Sequence, residues 1–202
     1  MGLLKQIQQS DGIQDVDYKL YRSARLAKRR NSWKPLDMKD LIRNGTMSKE
    51  MALFLCTCVK ARLNILVSGG TGAGKTTLVN ALSTFIPKEE RNLIGDVRGN
   101  DVREILRNEN KELNGFLATG HSSSPSNMID RLEIIAYLEG INLPIKAIRE
   151  KIAGTIDIIV HLSRTNDGER KITKITEIQG IAEDQIVLRD IFTINPLEGS
   201  YY

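Results

Sequence analysis

Two kinds of apolar pattern share this chain. In some stretches apolar residues recur every three or four positions, the spacing of one face of a helix, and in others they run together between turn-forming residues, the mark of a buried strand. Leu36, Met38, Leu41 and Ile42 predict a short helix, opened by Pro35 and Asp37 and closed by Asn44-Gly45. Ser48 is a fitting N-cap for a helix over 49–61, with Met51, Leu55, Cys58 and Val59 on one face. Leu63-Asn-Ile-Leu-Val-Ser68 then reads as a buried strand ending in glycines, followed by a helix from Thr76 to Phe85 that stops at Pro87. Leu93-Ile94 predicts only a clipped strand before Gly95-Asp96. Residues 100–113 read as helix and Phe116 to His121 as strand. Two more helices follow, Ser126–Leu138 and Pro144–Ala153, the second with its proline near the first turn. Ile156–Ser163 reads as strand, Asn166-Asp167-Gly168 as a hairpin turn, and Lys171–Ile178 and Gln185–Leu188 as the rest of a meander. Strands alternating with helices and then giving way to hairpins predict an α/β core with a C-terminal β-meander.

Composition narrows the class. The chain has 202 residues, 41% apolar and 27% charged, the balance of a folded globular protein. No apolar run approaches the roughly 20 residues that cross a bilayer, and Met1-Gly-Leu-Leu-Lys-Gln6 lacks the apolar segment of a signal peptide. Cys56 and Cys58 have no further cysteine to join them, which argues against zinc and for packing residues in a reduced, cytoplasmic protein.

The net charge of +4 is unevenly placed. Residues 1–34 hold eight Lys and Arg against Asp11, Asp15 and Asp17, so the basicity belongs to an N-terminal arm and not to the domain predicted over 35–192. The run Lys19 to Arg30 suits anionic lipid or nucleic acid, but a solvated linker or subunit contact is the plainer reading, and no specific nucleic acid partner is expected. The residues 193–202 are predicted to be a loose tail.

One motif carries most of the chemistry. Gly69, Gly70, Thr71, Gly72, Ala73, Gly74, Lys75 and Thr76 fit G-x-x-x-x-G-K-[ST] in full, with Thr77 following, and the predicted strand before and helix after are the required context. Four glycines in these first six positions let backbone N–H groups approach phosphate oxygens. The helix N-terminus adds partial positive charge at the same point. Lys75 is expected to reach the β- and γ-phosphates of ATP, and the Thr76 hydroxyl to hold Mg²⁺. Hydrolysis needs more: an acid near the metal, a group that orients water, and an arginine at the γ-phosphate. Asp96 is the best candidate for the acid, the alternative being a loop aspartate, with Arg98 and Gly99 just after it. His121 lies in the small, polar loop Thr119-Gly-His-Ser-Ser-Ser124, where a surface histidine is the simple reading, and His161 in an apolar run reads as structural.

Together these segments resemble a known family. Ala61-Arg-Leu-Asn-Ile-Leu-Val-Ser-Gly-Gly-Thr-Gly-Ala-Gly-Lys-Thr-Thr77 is similar to the type II/type IV secretion ATPases, the GspE family, and most of all to the CpaF-type ATPases of Tad (Flp) pilus assembly. Gly95-Asp-Val-Arg-Gly99 resembles the family's modified Walker B, usually Gly-Glu-Val-Arg-Gly, and Ala118-Thr-Gly-His-Ser-Ser-Ser-Pro125 its His box. Arg131-Leu-Glu133, Leu143 to Glu150, Ile156 to Ser163 and Asp190-Ile-Phe192 resemble the stretches that follow, so the likeness covers about residues 35–192. The resemblance implies a P-loop NTPase core of the RecA-like kind, with Lys75 and Thr76 on phosphate and Mg²⁺. It gives Asp96 the Walker B role, and gives His121 the coupling of the γ-phosphate state to neighbouring structure. It also implies a hexameric ring, or a mixed ring with a full-length paralogue. Such a ring would act on an inner-membrane platform protein from the cytoplasm or the inner membrane surface.

The departures from the family matter as much. Its members carry a long stretch between the P-loop helix and Walker B, with an Asp box acid for water activation and arginines that reach a neighbour's nucleotide. Here Lys75 and Asp96 are 21 positions apart, and a helix and a turn consume nearly all of that. Glu89 and Glu90 fall in the turn and do not replace the Asp box by pattern, so the central sheet is expected to be shortened. The family's N-terminal domain is reduced to the basic arm, so the chain reads as a truncated, internally shortened relative. A diverged protein, a gene model that skips a segment and an engineered deletion fit equally. The expected activity is ATP binding with weakened hydrolysis, the alternative being a non-catalytic nucleotide-binding subunit or a fragment.

Overall fold

A computed structural model describes residues 35–86, 92–107, 115–165 and 168–194. The arm over 1–34, Glu89 and Glu90 before Walker B, and tail residues 195–202 lie outside the described residues. The order is α1 (Met38–Arg43), α2 (Lys49–Lys60), β1 (Ile65–Gly69), α3 (Lys75–Ser83), β2 (Asn92–Asp96), α4 (Gly99–Arg107), β3 (Phe116–Gly120), α5 (Pro125–Leu138), α6 (Ile145–Thr155), β4 (Ile158–Arg164), β5 (Arg170–Ala182) and β6 (Gln185–Thr193). The strands form one sheet in the order β2-β3-β1-β4-β5-β6, parallel from β2 to β4 and antiparallel from β4 to β6. This is the predicted α/β core with a C-terminal meander.

Local chemistry explains most boundaries. Asp37 opens α1 through a capping box, its side chain accepting from Asp40 N–H while Asp40 returns the bond. Ser48 accepts from Met51 N–H at the start of α2, and Ser124 from Asn127 N–H at the start of α5, where Pro125 takes the first helical position.

The central strands β1, β3 and most of β4 are buried on both faces, as a parallel sheet between helical layers requires. Ile65 and Val67 of β1, with Ile158, Val160 and Leu162 of β4, pack toward α1, α2 and α3. Leu66 and Ile159, at the alternate positions, join Val102 of α4, Met128 and Leu132 of α5, and Ile148 and Ile152 of α6 on the other side. Phe54 of α2 meets Phe192 of β6 edge to face, with centroids 5.6 Å apart, which seals the first layer against the meander. Cys56 and Cys58 are buried in that layer as the packing residues expected, and desolvation pushes their thiols up to about 11 and about 12.

Some elements differ from expectation. β2 runs over five residues rather than two, because its backbone pairs with β3 at Asn92, Leu93 and Asp96 across an irregularity that absorbs Gly95. β5 and β6 outrun their apolar patterns because each has its partner's backbone to bond, and pairing continues to Ile194, inside the stretch expected to be loose. α4 is described over Gly99–Arg107, and the rest of the helix expected to 113 lies outside the described residues.

The bottom of the sheet is tied by one side chain. Asn64 donates from Nδ2 to Thr155 O (2.6 Å) and accepts at Oδ1 from Phe116 N–H (3.1 Å). Its own N–H donates to Asp157 Oδ2 (2.8 Å), so the starts of β1, β3 and β4 are held level. Asn64→Ala orphans two backbone groups and should lower stability by about 2–4 kcal/mol in urea melts. In the folded protein both cysteines should resist a thiol reagent at pH 8 and react on unfolding, because neither forms thiolate in that range.

Candidate functional site

The site lies at the C-terminal ends of β1, β2 and β3. The loop leaves β1 at Gly69, whose φ is +147°; a Cβ there would stand 2.3 Å from the Leu162 carbonyl oxygen of β4. Only glycine lets the loop turn this close to the neighbouring strand. Gly72 (φ +74°) and Gly74 (φ +101°) supply the other left-handed turns, and Gly74 opens α3 without any side-chain cap. The first N–H groups of α3 therefore have no side-chain cap competing with an anion.

Lys75 is buried, and its ammonium folds back over the loop. It donates to Gly69 O (2.9 Å) and Gly70 O (2.8 Å), and lies 3.4 Å from His121 Nδ1. Burial pulls its pKa below the ordinary lysine value, and the charge of Asp96 opposes that shift. The other ring nitrogen of His121 lies 3.3 Å from Asp96 Oδ2, with the exposed Arg98 guanidinium 3.7 Å from the same oxygen. Lys75, His121 and Asp96, 46 positions apart at most, thus form one chain of polar contacts. Each hangs from the end of a different parallel strand or the helix that follows it.

The chemistry of this cluster fits a cation with phosphate. Asp96 Oδ1 is buried and has no hydrogen-bond partner among the described residues. Such an orphaned acceptor beside a phosphate-binding loop fits a hydrated divalent ion or its water. No group of three or more His, Cys, Asp or Glu among the described residues could hold a metal alone. Mg²⁺ takes one or two protein ligands and completes its shell with phosphate and water. Asp96 and Thr76, exposed in the first turn of α3, are the residues that fit it. Thr71 is exposed at the loop tip and Ala73 buried beneath it. Thr77 faces a hollow of about 310 Å³ that also involves Leu41, Thr46, Gly74, Arg164 and Arg170, a volume in the range of small-molecule sites.

Two contributions were not legible in the sequence. Arg170 of β5 donates from Nε to the Gly72 carbonyl (2.9 Å) and so steadies the tip of the loop from 98 positions away. His161 of β4, read as merely structural, accepts or donates at Nδ1 with Ser68 Oγ (2.9 Å), the residue that precedes the loop. Neither has a local signature; only the pairing of β4 with β1 and β5 delivers them.

Residues 21–95 match the family model described as "Type II/IV secretion system protein". The chain is 26% identical over 199 residues to the "Probable conjugal transfer protein TrbB" of Sinorhizobium fredii, which covers 76% of this chain and 60% of that one. A shorter stretch of 52 residues is 46% identical to the "Type IV secretion system protein VirB11" of Bartonella henselae, over 26% of this chain and 14% of that one. The chain therefore spans about 60% of the length of its TrbB relative. The fold is that of the Brucella suis VirB11 ATPase, solved with sulphate, at TM-score 0.58 and 20% identity over 74% of this chain and 67% of that one.

The contrast between two adjacent glycines tests the loop geometry. Gly69→Ala should cost about 2–3 kcal/mol of stability, because its Cβ meets backbone at an unfavourable φ. Gly70→Ala, whose Cβ meets nothing within 4 Å, should cost less than about 0.5 kcal/mol. Parallel urea titrations of the two variants read the difference.

Proposed function

We propose that this chain is an ATP-binding protein of the type II/type IV secretion ATPase class whose own hydrolysis is slow. The observation that carries the reading is the Lys75–His121–Asp96 cluster set against an uncapped P-loop helix. Lys75 moves from the Gly69 and Gly70 carbonyls onto the β- and γ-phosphates. The N–H groups of the loop and of the first turn of α3 take the remaining phosphate oxygens. Mg²⁺ neutralises phosphate charge when bound, and Thr76 and Asp96 are placed to hold it. The hollow beside Thr77 receives the nucleoside. His121, in contact with both Lys75 and Asp96, is positioned to report whether a γ-phosphate is present.

Slow hydrolysis follows from what joins α3 to β2. Only eight residues separate Ser83 from Asn92, and the described ones among them contribute no strand and no carboxylate to the site. β2 is consequently the outer strand of the sheet among the described residues. The Walker B wording Gly95-Asp-Val-Arg-Gly99 and the His box Ala118 to Pro125 support a CpaF-type, pilus-assembly member. The TrbB and VirB11 relatives support transport across a bacterial envelope more broadly. The working unit is a ring, of this chain or mixed with a full-length paralogue, against a membrane platform protein. No described helix is long and apolar enough to cross a membrane, consistent with a peripheral place there.

Calorimetry with ATP and Mg²⁺ tests binding: Lys75→Ala should weaken it roughly 10–100-fold, the value of a charge-assisted contact to phosphate. Turnover of the wild-type chain alone should stay near or below about 0.01 s⁻¹. That is a median enzyme rate lowered by the roughly 10³ that an absent arginine finger costs. A steady-state rate of about 1 s⁻¹ or more would sink the proposal of slow hydrolysis.

A further inference from the structure

Two arginines face each other beside the phosphate loop. β4 and β5 pair antiparallel, and at the hairpin end of that pairing Arg164 stands directly opposite Arg170. Residues opposite each other project from the same face of a sheet, with Cβ atoms about 4.5–5.5 Å apart, and like charges so placed are destabilising. Alternation along β4 fixes which face it is. Leu162, two residues before Arg164, is buried in the layer of α1, α2 and α3, so Arg164 leaves the sheet on the P-loop side. Both arginines line the hollow that Gly74 and Thr77 border.

Little in the protein offsets the repulsion. Glu169 is the only carboxylate among the described residues that line the hollow, and Lys171 pairs with it at 2.9 Å. Arg164 makes no hydrogen bond or ion pair among the described residues. Arg170 uses Nε on the Gly72 carbonyl at 2.9 Å, and its stem lies along Gly74, where an added Cβ would come 3.4 Å from Cδ. Its two terminal nitrogens have no partner among the described residues. Two facing cations with donors to spare, at the edge of a phosphate loop, make a place for an anion.

We propose that Arg164 and Arg170 are a clamp for the α-phosphate of the bound nucleotide. Lys75, His121 and Asp96 stand where the β- and γ-phosphates go, and none of them lines the hollow. Gly74 and Thr77 do, so the phosphate between them and the arginines is the one that carries the nucleoside. A guanidinium can meet two phosphate oxygens at once. The anion also relieves the repulsion between the arginines, so the strain of the empty pair is released on binding. The inference rests on the nucleotide-binding reading above and adds the residues that hold the nucleoside end.

Calorimetry with two Mg²⁺-bound ligands tests it: ATP, and inorganic pyrophosphate, which fills the two phosphate places of Lys75 and has no third. Arg164→Gln should weaken ATP by about 10-fold, the loss of one charge-assisted contact, and leave pyrophosphate within about twofold of wild type. Arg164→Glu should weaken ATP by about 100-fold. Both variants should fold, because Arg164 supports no other described group. The nucleotide-free Arg164→Glu protein should have a higher urea midpoint than wild type, because its new carboxylate faces Arg170. Wild-type ATP affinity in Arg164→Glu overturns the clamp and leaves the nucleotide reading standing. Equal weakening of ATP and pyrophosphate overturns it too, since the pair would then act on charge in general and not on the α-phosphate. A lowered urea midpoint in Arg164→Glu also counts against it, because the empty pair would then not be strained. A wild-type chain that binds neither ligand removes the nucleotide reading and this one with it.

Discussion

A buried ammonium needs acceptors, and the way Lys75 finds them organises the site. Desolvating a cation without partners costs several kcal/mol. Two carbonyls of the loop satisfy it, and that fixes the loop as a closed turn with its N–H groups on the outer face. For the carbonyls to be there, Gly69 must pass within contact of Leu162. For Gly69 to pass there, β1 and β4 must be in the register that sets Gly69 opposite Leu162. That register is held at the far end of the strands, where Asn64 bonds Thr155 and Phe116. A side chain at the bottom of the sheet thus governs a turn at its top.

The same dependence explains why some of this was readable from sequence and some was not. The P-loop declared itself because its requirements are local: positive φ at Gly72 and Gly74, and a helix that starts at once. Caps at Asp37, Ser48 and Ser124 are local in the same way, each a side chain bonded three residues ahead. Lys75, Asp96 and His121 were candidates by type and by likeness to a family, but their meeting depends on β2, β3 and β1 being neighbours. Arg170 and His161 had no such help. An arginine after a hairpin turn and a histidine in an apolar run are ordinary, and only sheet order puts them against Gly72 and Ser68. β2 was underestimated for a related reason. Its apolar content is small, and backbone pairing with β3 extends it beyond Leu93 and Ile94.

Binding and hydrolysis then separate along a structural line. The groups proposed to hold phosphate belong to β1, its loop and α3: carbonyls for the resting lysine, an uncapped helix end, and an arginine on the loop tip. What activates water must come from the opposite side of the γ-phosphate, the side of β2 and β3. There the described residues supply Asp96, with one oxygen unpartnered, and His121, but no second carboxylate. Asp96 cannot both hold a metal and draw a proton from water with equal effect, because a carboxylate neutralised by Mg²⁺ is a poor base. On the function proposed above, a site built this way would retain nucleotide longer than it turns it over. On that proposal its output would be the state of the loop that carries His121, set by whether a γ-phosphate is present. A protein that works through occupancy in this manner needs rigid connections between its phosphate loop and its reporting loop more than it needs a fast chemical step. The 3.4 Å approach of Lys75 Nζ to His121 Nδ1 is one such connection between the phosphate loop and the loop that carries His121.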